Sequence, residues 1–284
     1  MYFGAHVSAS GGIDKAIERV AELGAEAVQV FTQSPRMWRP VNHKPANVER
    51  WHALRAEHGI NHAVAHAIYL INIASDDPEI YEKSVTALEN TMVAVELLGL
   101  DAVVFHPGSH RSAGLDGCLD RMAAAMTRVL ETSETTWLLM ENSAGQGGTI
   151  GRDIEELARV FEAVGPHPRL GVCLDSCHWF VSGVDVRERL ALDAALGELD
   201  SAIGLDRLQA LHLNDSKTAL GSNRDRHDNI GAGEIGEGLA TFLSHPAFQE
   251  LAVYLEVPGE GDGPTAGEVE RARALHAAGL AAAS

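Results

Sequence analysis

Six side chains able to bind metals or move protons stand at equivalent points of a repeating pattern. His66, His106, Glu141, Asp175, His212 and Glu256 each fall at or near the end of a short apolar run. A single polar residue at such an end ordinarily does no more than satisfy a hydrogen bond. Six together, all His, Asp or Glu, are poorly explained that way, because several carboxylates gathered at one point are costly to bury without cations. A metal cluster supplies those cations. His178 follows Asp175 by three positions, and Asp225-Arg226-His227 offers an i,i+2 pair able to grip one ion from an extended segment. Mixed imidazole and carboxylate suit Zn²⁺ or Mn²⁺ better than Mg²⁺, which avoids imidazole. These nine candidate ligands exceed the needs of one ion, so two or three ions sharing a bridging carboxylate are implied.

The elements that must position them follow from the same pattern. Eight six-residue runs rich in Val, Leu, Ile or aromatic residues, at 2–7, 26–31, 61–66, 101–106, 136–141, 170–175, 208–213 and 252–257, predict strands. Amphipathic stretches at 13–23, 46–58, 78–98, 115–131, 153–164, 186–202, 237–243 and 266–280 predict helices. Asp77 before Pro78, and Asp153 before a Glu-rich turn, read as N-terminal caps, and Gly24, Gly59 and Gly99 as C-terminal ones. Eight strand–helix units in 284 residues predict an α/β fold, a single-domain (β/α)₈ TIM barrel over residues 1–284. An open doubly wound sheet is the competing arrangement. In a parallel barrel the C-terminal ends of the strands converge on one face, which places the metal-capable residues together.

Composition narrows the class. The chain has 22 Lys+Arg against 40 Asp+Glu, a net charge of −18, with 45% hydrophobic and 22% charged residues, which is globular and not disordered. No apolar run is long enough to span a membrane, and residues 1–6 lack the basic-then-apolar pattern of a signal peptide. The three cysteines, Cys118, Cys173 and Cys177, are too few for a disulfide framework, so a reducing, cytoplasmic location is expected. The acidity argues against bulk nucleic-acid binding but leaves room for a local basic or metal-loaded site.

Six segments carry a family resemblance. They are His66-Ala67-Ile68-Tyr69-Leu70-Ile71-Asn72, His106-Pro107-Gly108-Ser109, Glu141-Asn142-Ser143-Ala144-Gly145-Gln146-Gly147, Gly171-Val172-Cys173-Leu174-Asp175-Ser176-Cys177-His178, His212-Leu213-Asn214-Asp215-Ser216-Lys217 and Asp225-Arg226-His227. Each resembles a motif of the endonuclease IV family of apurinic/apyrimidinic endonucleases, and the likeness runs in order from Gly4-Ala5-His6-Val7-Ser8 to Leu255-Glu256. The resemblance implies a barrel holding about three zinc ions, for which manganese can substitute. His66, His106 and Glu141 would hold one. Glu141, the implied catalytic residue, would bridge to a second, shared with Asp175, His212 and Glu256, and His178, Asp225 and His227 would hold the third. The implied reaction belongs to base-excision repair: hydrolysis of the phosphodiester 5′ to an abasic site, leaving a 3′-hydroxyl and a 5′-deoxyribose phosphate, together with cleaning of blocked 3′ ends. The sequence departs from some members at Ala67-Ile68 and at Gly148-Thr149-Ile150, neither of which includes a ligand position.

Substrate selection falls to loops. Residues 31–39 join Arg36 and Arg39 to Met37 and Trp38, a composition suited to insertion into a DNA groove. The resemblance gives the positions of Arg36, Tyr69 and Leu70 a wedge role at the lesion, and an abasic nucleotide is cheap to extrude because it has no base to unstack. Arg36, Arg39, Lys217, Arg224 and Arg226 are the candidates for a local DNA footprint, with Lys217 and Arg224, after the seventh strand, as the phosphate contacts. The expected partner is double-stranded DNA with abasic sites or blocked 3′ ends, bound by a monomer. A sugar isomerase on a similar barrel would leave Asp225-Arg226-His227 and the Arg36 loop without a task, and a non-catalytic zinc- or lesion-binding module has no use for a bridged multi-ion site. The glycine-rich stretch 145–151 lacks dinucleotide-loop spacing. Cys173 reads as a small apolar strand residue and Cys177 as a neighbour of the site, while His6 and His110 lie near it without an assigned role.

Overall fold

The strands alternate two kinds of buried residue. On β1 (Tyr2–His6), β2 (Ala27–Phe31), β3 (His62–His66), β4 (Ala102–Phe105), β5 (Trp137–Glu141), β6 (Leu170–Asp175), β7 (Leu208–Leu213) and β10 (Ala252–Leu255), one set of positions packs outward under the helices. Phe3, Val28, Val30, Phe105, Met140, Leu174 and Leu211 belong to that shell. The alternate set, including Ala27, Val64, Val104, Leu139, Cys173, Ala210 and Tyr254, forms a second, separate core. Two apolar faces on a parallel strand require cover on both sides, which the barrel interior and the helical ring supply. In this computed structural model, which describes residues 1–111 and 113–283, the sheet closes in the order β1-β10-β7-β6-β5-β4-β3-β2, every pairing parallel. β1 hydrogen-bonds both β2 and β10, so the sheet has no edge and the doubly wound alternative is excluded.

The interior is narrow enough that residue size matters. A Cβ on Gly4 would stand 2.7 Å from Ala27 and 2.8 Å from the fully buried Tyr254 ring, so β1 must present hydrogen where Tyr254 fills the barrel. Outside, the helices are α1 (Asp14–Glu22), α2 (Pro45–His58), α3 (Pro78–Leu98), α4 (Leu119–Leu130), α5 (Ile154–Val164), α6 (Ser176–Ser182), α7 (Arg189–Ala202), α8 (Leu239–Leu243) and α9 (Ala266–Ala283). Asp77 caps α3 by accepting from Glu79 N and Ile80 N, ahead of Pro78. Asp153 caps α5 through Glu156 N, while Glu156 accepts in return from Gly151 N and Arg152 N. Gly59 and Gly99 end α2 and α3 in the left-handed conformation. Trp51 of α2, fully buried, donates its indole N–H to Leu98 O at 2.8 Å and thereby joins α2 to the end of α3.

The differences from the sequence expectation are local. The helices expected from 115 and from 186 begin at Leu119 and Arg189. The α6 helix was not expected, nor was the two-stranded ladder of β8 (Asp215–Ser216) with β9 (His227–Asp228). Among the described residues no helix is long and apolar enough to cross a membrane.

Candidate metal centre

Each strand-borne candidate lies two residues beyond a barrel-interior residue. His66 follows Val64, His106 follows Val104, Glu141 follows Leu139, Asp175 follows Cys173, His212 follows Ala210 and Glu256 follows Tyr254. Because side chains alternate along a strand, these six form the next inward layer up, at the C-terminal mouth. His106 and Glu256 stand one residue past the ends of β4 and β10. The other three come from the connections. Asp175 caps α6 by accepting from His178 N at 2.8 Å, and that turn brings His178 back over the mouth. His227 lies in β9 opposite Ser216, and the fully buried Asp215 anchors the loop by accepting from Ser216 N, Gly233 N, Ile235 N and Gly236 N.

All nine candidates meet, with Glu141 at the centre. Its Oε2 is 3.1 Å from His66 Nε2 and 3.4 Å from His106 Nε2. Its Oε1 is 3.1 Å from His212 Nδ1 and 3.2 Å from His178 Nδ1. Glu256 Oε2 approaches His212 Nδ1 at 3.2 Å, and Asp225 reaches His227 Nε2 at 3.1 Å and His178 Nε2 at 3.3 Å. Donor atoms within 4.8 Å of one another group as His66, His106 and Glu141; as Glu141, Asp175, His212 and Glu256; as His178, Asp225 and His227; and as Asp175, Cys177 and His227.

The rings are oriented from behind. His66 Nδ1 donates to Ala67 O at 2.7 Å, His178 Nδ1 to Asn142 O at 2.9 Å and His227 Nδ1 to Glu256 O at 3.4 Å. Since a carbonyl only accepts, these bonds fix the proton at Nδ1 and leave Nε2 bare in the neutral ring, the state a metal needs. His212 is held the other way round, with Nε2 on Gln29 Oε1 at 2.8 Å. Among the described residues, buried Glu141 Oε1, His212 Nδ1 and His227 Nε2 find no hydrogen-bond partner, although His212 Nδ1 and Glu141 Oε1 are 3.1 Å apart. Right distance and wrong angle describe two atoms aimed at a third point, where a cation fits.

Charge tells the same story. Burial pushes Glu141 up, but the charges of His106 and His212 outweigh it and hold the carboxyl well below its usual range. Burial likewise opposes His227, which Asp225 and Asp175 lift to about 9. His178 and His212 are raised well above the usual imidazole value against the pull of burial, His178 by Asp175 and Asp225, His212 in part by Glu256 and Glu141. Protons on these rings balance the clustered carboxylates, the same compensation that a bound cation would supply.

The loop residues surround the mouth. The site opens into a cavity of about 1060 Å³ whose wall includes His66, Tyr69, His106, His178, Asp225 and Glu256. Tyr69 is 61% exposed and Leu70 is also exposed, and Arg36, Lys217, Arg224 and Arg226 are solvent-facing. Tyr69 N donates to Pro35 O at 3.1 Å, and its ring meets Phe31 edge-on at 5.2 Å, so the Arg36 and Tyr69 loops are joined. Lys217 N donates to Arg226 O, which ties those two basic residues to the ladder. Burial raises the Cys173 and Cys177 thiols to about 11 and about 12, so both stay protonated. The 258–264 turn contributes Asp262, Gly263 and Pro264 to the cavity wall.

Sequence reasoning missed the residues behind the mouth. Asn142 accepts from Asp175 N at 2.6 Å, Asn214 Nδ2 donates to Asp175 Oδ2 at 2.5 Å, and Gln29 contacts Glu256, His212 and His6. The available signal for Gln29 was an amide inside an otherwise apolar strand, Ala27-Val28-Gln29-Val30-Phe31.

Comparison with known proteins agrees with this geometry. The family model for xylose isomerase-like TIM barrels matches residues 17–278. The probable endonuclease 4 of Methanoculleus marisnigri is 40% identical over 275 residues, 96% of this chain and 98% of that protein. That of Halorhodospira halophila is also 40% identical, over 92% and 89% of the two chains. The crystal structure of endonuclease IV from Thermus thermophilus superposes with a TM-score of 0.86 at 37% identity, covering 98% of this chain and all of that one. A D-tagatose 3-epimerase-like protein, at 19% identity and a TM-score of 0.73, shares the fold alone. With relatives this similar over nearly their whole length, the chain belongs to the endonuclease IV family of xylose isomerase-like TIM barrels.

Proposed function

We propose that this protein is a DNA-repair endonuclease that hydrolyses the phosphodiester 5′ to an abasic site, leaving a 3′-hydroxyl and a 5′-deoxyribose phosphate, and that it also clears blocked 3′ ends. It acts as a single-domain monomer inside the cell and draws on about three zinc ions, with manganese a competent substitute. The ion sets are His66, His106 and Glu141; Glu141, Asp175, His212 and Glu256; and His178, Asp225 and His227. The observation that carries the reading is the Glu141 carboxylate, fully buried and approached by four imidazoles from four separate stretches of the chain. Metal bound there supplies Lewis acidity and a nucleophile at neutral pH.

The chain's own residues do the rest. Glu141, held ionised, keeps negative charge between the ion sets and positions them relative to one another. The anchored rings of His66, His178, His212 and His227 enter the reaction without rearrangement, which lowers the reorganisation cost. Arg36, Tyr69 and Leu70 wedge at the lesion, and Lys217, Arg224 and Arg226 contact phosphates on either side. A nicking assay on duplexes with one abasic site, with elemental analysis of the same sample, tests the proposal. Strand cleavage confined to abasic DNA with about three zinc per chain is expected. Intact abasic strands, or full activity with one ion or none, would overturn it.

A further inference from the structure

Gln29 sits on β2 with no exposure to solvent, among apolar neighbours, where an unsatisfied amide would be costly. Its side-chain contacts all run to the mouth of the barrel. Oε1 lies 2.8 Å from His212 Nε2, and Nε2 lies 2.5 Å from Glu256 Oε1 and 2.9 Å from His6 Nδ1. The network fixes its own polarity. The Glu256 carboxylate only accepts, so the amide NH₂ must face it, and the amide oxygen must then face His212. His212 therefore donates from Nε2, and its Nδ1 is left toward Glu141 and Glu256. His6 Nδ1 lies 2.9 Å from the same NH₂ and 3.2 Å from Glu256 Oε1, so it packs against both groups.

We propose that Gln29 is the positioning residue of the Glu141, Asp175, His212 and Glu256 set, fixing the His212 tautomer and the Glu256 carboxylate with a single amide. The inference rests on the metal reading above. It is specific to one set, because the donor nitrogens of His66, His178 and His227 are anchored on backbone carbonyls, which no side-chain substitution removes. Loss of Gln29 should therefore loosen one ion and spare the others. Partners one shell behind a ligand commonly shift metal affinity by about 10–100-fold.

The test uses the zinc-loaded protein and two variants. Gln29→Leu keeps roughly the volume and removes the contacts to His212, Glu256 and His6. Gln29→Glu keeps the acceptor for His212 but sets a like charge against Glu256. In Gln29→Leu, one zinc should pass to a chelator about 10–100-fold faster than in the wild type, with the remainder unchanged. Its kcat on abasic DNA should fall with KM held within about twofold. The His212 ring N–H, followed by ¹⁵N NMR, should be protected from solvent exchange in the wild type, exposed in Gln29→Leu and protected again in Gln29→Glu. A folded Gln29→Leu that releases every zinc at the wild-type rate and keeps that N–H protected overturns the assignment. If Gln29→Leu does not fold, Gln29→Glu decides: faster loss of one ion supports the role, and wild-type release overturns it. A wild type that leaves abasic DNA intact sinks the functional reading instead, while the ring N–H comparison still decides the role of Gln29.

Discussion

Glu141 shows how one side chain can hold a site together. It has no solvent contact, yet remains ionised because imidazoles approach both of its oxygens. Glu141→Gln keeps the shape and deletes the charge. Turnover should fall about 10²-fold or more, with binding of abasic DNA largely kept, in steady-state kinetics run beside a binding titration. Near-normal turnover would remove Glu141 from the mechanism. The histidines yield a second prediction, with a definite sign. Without metal, His178 and His212 are held well above the usual imidazole value and His227 at about 9, so at pH 7 an incoming cation must displace protons from these rings. Zinc affinity should therefore rise with pH, and zinc added to stripped protein at pH 7 should release about two or more protons per chain. Calorimetry in buffers of different ionisation enthalpy measures that number, and a value of zero would contradict the charge states described here.

The elements that carry these residues depend on one another. Asn72, in the loop after β3, binds the loop after β4: its Oδ1 accepts from Ser109 N and its Nδ2 donates to Ser109 O, both at 3.1 Å. Gly108 accepts from Ile150 N at 2.9 Å, which brings in the loop after β5. Gly108 has φ +105° and its added Cβ would stand 2.2 Å from Asn72 Oδ1. Gly108→Ala should thus cost about 1–3 kcal/mol of stability and weaken retention of the ion near His66 and His106, read by thermal melting and chelator release. An unchanged melting temperature would mean that the three loops yield independently. The same loop after β3 also joins the neighbouring loop after β2, because Tyr69 N donates to Pro35 O and the Tyr69 ring meets Phe31. Arg36→Ala and Tyr69→Ala should weaken binding to abasic DNA far more than to intact duplex, and an unchanged preference would refute the wedge.

For the whole molecule the dominant fact is charge. A chain at −18 rises only to about −12 with three divalent ions bound, so long-range attraction to DNA is absent and the grip must be local. In the proposed reading, the exposed Lys217, Arg224 and Arg226 in the connection after β7 would supply that grip. Lys217→Ala or Arg224→Ala should weaken binding to abasic and intact duplex alike and lower the slope of log affinity against log salt by about one per lost contact. A loss confined to abasic DNA would move these residues from phosphate contact to lesion recognition.

Short apolar runs between amphipathic stretches were enough to count the barrel strands and to find six chemical residues at their ends, because both patterns are local properties of the chain. The other three candidate ligands, His178, Asp225 and His227, were legible from their spacing to Asp175 and to each other, and the family motifs carried the grouping of all nine. The sequence did not show α6, which exists because Asp175 caps it, or the ladder that carries His227, which is held by the buried carboxylate of Asp215. Nor did it show which nitrogen of each histidine is free. That is decided by hydrogen bonds behind the rings, and in the case of Gln29 they reach residues 183 and 227 positions away in the chain. Only closure of the barrel brings those positions together, since no local periodicity encodes a contact between the second strand and the last two.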